Sequence, residues 1–184
     1  MKIFTIILLL CYQAFAEKPK IYTSIPAMIE ELGDYSESNG TFKIVAKDPI
    51  HIQLSPLCAI GHEEGILDEY SKLALVYGVY KTFIHTKANK VTITSIPLLF
   101  DRDKNTNNYL TEFSKKITIT REEALTAIKN FKKLNTFNEL IKIQDLGGFK
   151  LTTWSENFHP YIYNDKGFPG LDKFYKELAI TNKN

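Results

Sequence analysis

The stretch Asp101-Arg102-Asp103-Lys104-Asn105-Thr106-Asn107-Asn108-Tyr109-Leu110-Thr111-Glu112 sets oxygen-bearing side chains at alternating positions. Counted from Asp101, the residues Asp101, Asp103 and Asn105 stand at loop positions 1, 3 and 5, and Glu112 falls at position 12. A calcium loop of the helix-loop-helix type offers ligands from those places, because a tightly curled backbone turns alternate oxygens onto one hard cation and the last carboxylate closes the far side. Three departures weaken the match. Thr106 replaces the glycine of the sharp turn, Asn108 stands where an apolar residue is usual, and the segment before the loop reads as a strand. Arg102 and Lys104 also lower the local negative charge. The plain alternative is a polar loop joining two strands, and no cofactor other than this calcium ion is expected.

Three further groups invite a chemical reading. His62-Glu63-Glu64-Gly65 begins like a zinc-protease helix, but the second histidine would have to stand at position 66, where Ile66 is found. Acidic residues at a helix start are explained by the positive end of the helix dipole. Cys58 has apolar neighbours, Leu57 and Ala59, which favour burial, and none of His51, His62, His85 or His159 lies at a cysteine-protease spacing from it. No nucleophile elbow or phosphate-cradling glycine loop occurs. The C-terminal aromatics Trp154, Phe158, His159, Tyr161 and Tyr163 suggest a binding surface, since such rings give large contact area with few rotors to order. The competing reading has these rings roofing a sheet.

The elements that must position these groups follow from periodicity and caps. Ser24-Ile25-Pro26 opens a short helix that Gly33 stops. Residues 41–47 and 50–55 read as a hairpin turning at Asp48-Pro49, the second strand alternating Ile50, Ile52 and Leu54 against His51, Gln53 and Ser55. Residues 63–85 form a long amphipathic helix with Leu67, Tyr70, Leu73, Ala74, Tyr77, Tyr80 and Ile84 at helical spacing, and Gly78 with Ala74 offers another element a close approach. A strand from Val91 is bent or ended by Pro97, and 116–120 is its antiparallel partner. Thr120 and Glu123 form a capping box that opens a helix; Thr136 and Glu139 repeat it, so the helical stretch is expected to run on to Gly147-Gly148. A strand at 149–154, an irregular aromatic segment and a closing helix at 171–179 complete the chain. The expected fold class is α+β: one domain, residues 17–184, with an antiparallel sheet of about five strands in hairpins and helices packed mainly on one face.

Composition narrows the function. The formal charge is +2 for the full chain and only Arg102 and Arg121 are arginines, so a nucleic-acid partner is not expected. Residues 1–16 carry Lys2, an apolar run from Ile3 to Cys11 and the small-x-small pattern Ala14-Phe15-Ala16, and read as a secretory signal peptide. The apolar run is too short to cross a bilayer, and no transmembrane helix is expected in the mature chain. Cys11 directly after the run gives a lipid anchor as the minority alternative, with bulky Leu10 against it. Cleavage leaves Cys58 without an internal partner, so packing must supply stability. The lysine-rich, arginine-poor composition points to a bacterial source. The expected role is an exported, periplasmic or secreted, non-catalytic module that binds another exported protein or assists envelope assembly. The alternatives are an envelope hydrolase whose active site converges from distant segments, and a calcium-stabilised binding module using residues 101–112.

Overall fold

The computed structural model describes residues 18–101, 106–148, 150–162 and 169–181. Helix α1 (Ile25–Leu32) starts where the Ser24 hydroxyl accepts from the Ala27 amide and stops at Gly33, whose φ of 77° lies in the left-handed region that glycine enters at least cost. Strands β1 (Phe42–Lys47) and β2 (Ile50–Leu54) form the expected antiparallel hairpin around Asp48-Pro49. β3 (Leu57–Ala59) leads into α2 (Glu64–His85), and β4 (Lys90–Ser95) follows it. Pro97 ends the pairing of β4, and the chain resumes as β5 (Leu98–Asp101), which pairs antiparallel with β6 (Thr106–Tyr109). β7 (Lys115–Thr120) runs into α3 (Arg121–Lys132) through the Thr120–Glu123 capping box.

The main sheet has the order β1-β2-β4-β7, and its central pair is parallel. The fold is α+β as expected, with β1–β2 and β4–β7 antiparallel, and the expected pairing is corrected only at β2–β4. A parallel neighbour needs a crossover of a dozen or more residues, and α2 supplies one between β2 and β4. The parallel pairing continues past a shared bend into β3 and β5, Leu54 aligning with Ser95 and Leu57 with Leu98. Pro56 and Pro97 therefore face each other across the register. Neither can donate to the ladder, and each sits where both strands turn.

A second correction concerns residues 136–146. The Thr136–Glu139 capping box is formed, but it launches only a 3-10 turn (Phe137–Leu140). Strand β8 (Ile141–Asp145) follows and pairs antiparallel with β9 (Lys150–Trp154), so Gly147-Gly148 belongs to a hairpin turn, not a helix stop. Both glycines have positive φ, and the Gly148 amide donates to the Asp145 carboxylate at 2.8 Å. The segment expected to be irregular contains the short helix α4 (His159–Ile162), and α5 (Pro169–Thr181) closes the fold.

The sheet buries Ile52, Leu54, Val91, Ile93, Ile117 and Ile119 on one face, against α2, and turns a polar face outward. There His51 bonds Thr94 at 2.8 Å and Thr92 bonds Thr118 at 2.9 Å. α2 is amphipathic only in its first half; from Ala74 to His85 every residue is buried. Gly78 explains how a helix approaches the sheet so closely: a Cβ there would stand 2.8 Å from the Leu54 Cδ1 and 3.1 Å from the Ile93 Cγ2. On the opposite side Tyr80 packs against Phe137, Phe158 and Phe174, and its hydroxyl donates to the Ala124 carbonyl.

The end of α2 is finished by a residue from elsewhere. Arg121 donates to the carbonyls of Phe83 and Thr86 at 2.7 Å and of Ala88 at 3.0 Å, with its guanidinium against the rings of Phe83 and Phe137. Gly78→Ala gains about 1 kcal/mol of helix propensity but overpacks Leu54 and Ile93, a cost of about 1–3 kcal/mol. The expected result is net destabilisation, read as a lower midpoint in urea unfolding. A variant as stable as the parent would show that the helix–sheet contact has slack.

Candidate functional site

One stripe of the C-terminal half of α2 borders a large cleft. Leu73, Tyr77, Lys81 and His85 recur every four residues, hence on one helix face, and all four line a cleft of about 1120 Å³. The segment Lys18–Tyr22, the end of α1 with Asp34 and Tyr35, and the β8–β9 hairpin with Ile143 and Leu151–Trp154 supply the other walls. Sequence separation conceals the site: its walls come from segments more than a hundred residues apart.

Lys81 is the unusual group. The residue is 3% exposed, yet it makes no hydrogen bond or ion pair among the described residues. Its Nζ lies 4.4 Å from the Trp154 ring centroid and 5.9 Å from that of Tyr77. Ring faces attract an ammonium but do not neutralise it. Burial lowers the Lys81 pKa to about 8, against a smaller opposing pull from Asp34. Asp34 is itself engaged, its Oδ2 accepting from the Tyr77 hydroxyl at 2.8 Å, and Tyr77 packs on Tyr35. Burial, then the Asp34 charge, drives the Tyr77 phenol far above its ordinary value, so it stays a donor.

One turn on, His85 is 1% exposed. Its Nδ1 lies 2.9 Å from the Lys20 carbonyl, which can only accept, so Nδ1 carries the proton. Nε2 has no partner among the described residues. Burial, with a smaller contribution from Lys81, lowers the imidazole pKa, while the bond to Lys20 works the other way; the ring is neutral at pH 7 and Nε2 is a lone-pair acceptor. The His85 carbonyl accepts from the Tyr22 amide at 2.7 Å, which ties Lys18–Tyr22 to the helix end. At the rim Lys20 pairs with Glu31, which also accepts from the Tyr22 hydroxyl.

The residues singled out from the sequence are dispersed. Asp101 is buried at the end of β5, in register with Thr106, whereas Glu112 lies in an exposed 3-10 turn (Thr111–Phe113) beyond the other end of β6. The length of β6, roughly 10 Å at 3.3 Å per residue, separates the end of β5 that carries Asp101 from the turn that carries Glu112. Asp103 and Asn105 lie outside the described residues, among which no group of three or more His, Cys, Asp or Glu side chains is placed to hold a metal ion. Of the aromatic segment, Phe158 is fully buried in the core, a correction to its reading as binding surface: it fills the space between Tyr80, Trp154 and Phe174. Tyr161 packs edge-on against Phe131 beneath Lys132, His159 is exposed on the cleft lining, and Tyr163 lies outside the described residues. Of the described members of this segment, Trp154 and His159 line the cleft. Cys58 is buried, donates to the Pro56 carbonyl, and burial pushes its thiol up to about 11, which leaves it a poor nucleophile.

Lys81 and His85 were legible in principle. They are the only basic residues in the run from Leu73 to His85, which holds no acid, and they follow Tyr77 at four-residue spacing. No protein-family model, curated protein sequence or solved structure matches the chain.

A buried, unpaired ammonium costs the fold stability. Lys81→Met is expected to stabilise the protein at pH 7 by about 1–3 kcal/mol, provided the methionine fills the same space. The unfolded chain binds the Lys81 proton up to about pH 10.5 and the folded chain only to about 8, so parental stability rises across that window. The advantage of the variant should shrink there, as followed by denaturant unfolding at several pH values. A variant less stable than the parent at pH 7 would mean that the ammonium is already satisfied.

Proposed function

We propose that this chain is an exported, non-catalytic binding protein and that its binding element is the cleft floored by α2. The observation that carries the reading is the stripe Leu73, Tyr77, Lys81, His85: this face of a deeply buried helix floors about 1120 Å³ of space, room enough for a small molecule. A helix used for packing alone has no need of a lysine there. Asp34 accepts from the Tyr77 hydroxyl and His85 Nδ1 bonds the Lys20 carbonyl, so neither group is set beside a nucleophile. That supports binding over catalysis, which needs a base in contact with its nucleophile. Residues 1–16 support export to the bacterial envelope or beyond. The burial of Phe158 and the place of Trp154 in the cleft wall favour a small-molecule component of that compartment over a protein partner docked on exposed rings.

Trp154 is the only tryptophan in the chain, so occupancy can be read optically. Titration with the neutral fluorophore N-phenyl-1-naphthylamine should saturate near one probe per chain, with Trp154 excitation transferred to the probe. Uptake that never saturates, or probe binding without transfer, would remove the cleft as the binding element. Expression of the full chain in a Gram-negative host should give a periplasmic product lacking residues 1–16 by mass; a full-length product confined to the cytoplasm would sink the export reading.

A further inference from the structure

We propose that the ligand of this cleft is a monocarboxylic acid with a flat, ring-bearing body, its carboxylate seated on the Lys81 ammonium and its ring laid beside Trp154. The inference rests on the cleft being the binding element. Lys81 Nζ stands between two ring faces, at 4.4 Å from the Trp154 centroid and 5.9 Å from that of Tyr77, with no counter-ion among the described residues. The nearby acid, Asp34, is held by the Tyr77 hydroxyl at 2.8 Å. A guest carboxylate is therefore the missing partner of a charge that the fold has already desolvated. Its attraction to an ammonium largely withdrawn from water exceeds that to a surface lysine, and the protein has met the cost of ordering the lysine beforehand.

Charge and shape narrow the guest further. The lining holds four lysines, Lys18, Lys20, Lys81 and Lys150, against two acids, Glu31 and Asp34, which favours an anion. Lys20 and Glu31 pair with each other at the rim, and among the described residues no arginine lines the cleft. One buried ammonium suits one negative charge; a phosphate dianion calls for several convergent donors or a guanidinium fork. The rings of Tyr22, Tyr35, Tyr77 and Trp154 line the same space, where offset or edge-on stacking holds a planar body better than a flexible chain. The unpartnered His85 Nε2 adds a lone-pair acceptor on the same stripe of α2.

The test compares cinnamate with its neutral amide, cinnamamide, and with octanoate and inorganic phosphate, by calorimetry on the full chain and by Trp154 emission. Cinnamate should bind at least tenfold more tightly than cinnamamide and than octanoate, and phosphate should produce neither heat nor a change in emission. Lys81→Met, which should remain folded, is expected to bring cinnamate and cinnamamide within about twofold of each other while cinnamamide binding persists. Equal affinity for acid and amide in the parent protein, or an acid preference that survives in Lys81→Met, overturns the role of Lys81. Octanoate binding as tightly as cinnamate overturns the ring-bearing body, and binding of phosphate overturns the monocarboxylate. If cinnamamide binds as well as cinnamate the cleft remains a binding element and only the anion falls; if no compound enters, both readings fall.

Discussion

Burial of α2 on nearly every side is the constraint around which the rest of the molecule is arranged. From Ala74 to His85 every residue is buried, so each polar atom in that half must find a partner inside the protein. The Tyr80 hydroxyl reaches the Ala124 carbonyl, the Thr86 hydroxyl returns to the Thr82 carbonyl, and the Tyr22 amide takes the carbonyl of His85. The sheet comes close because Gly78 has no side chain to hold it off. What is left open is informative: His85 Nε2 on the cleft stripe and the Thr82 hydroxyl on a packed side, with Lys81 beside His85 bordering the cleft without an ion pair among the described residues. A helix this well enclosed does not leave charge unpaired on one face by chance of packing alone.

The parts of the fold that were legible in the sequence are those decided within a few residues. Ser24 and Gly33 bound α1, Thr120 and Glu123 open α3, and Pro97 divides β4 from β5, because caps and ring constraints act locally. The partner of β2 was not legible. Alternation shows that a strand exists and which face it buries, but whether its neighbour is parallel depends on where α2 returns the chain. The same limit explains residues 137–145. The capping box at Thr136 is identical in kind to that at Thr120, yet the chain leaves the helix after one turn, and Ile141-Lys142-Ile143 then alternates as a strand. Local chemistry can start a helix; tertiary packing decides its length.

The candidate site was less legible than the fold, for a related reason. Sequence patterns bring out residues that act together at short spacing, as Asp101 to Glu112 suggested, and the structure spreads those two along a hairpin. The cleft instead takes its walls from Lys18–Tyr22, from Asp34 and Tyr35, from α2 and from β9. The aromatic C-terminal segment does contribute, but through Trp154 as a wall, with Phe158 behind it in the core. Amphipathic periodicity also misleads where a helix is enclosed, since it picks out Tyr77 and passes over Lys81, although the two share one stripe.

Arg121 gives α2 a property that the helix lacks by itself. Hydrogen-bond acceptors at its last turn and in the following Thr86–Ala88 segment are met by a side chain that arrives 35 residues after Thr86, at the junction of β7 and α3. Until β7 pairs with β4 that guanidinium is absent and the turn frays as any free helix end does. The end of α2, the Lys87–Asn89 connection and the first turn of α3 thus form one cooperative unit, whose backbone amides gain and lose protection from solvent exchange together.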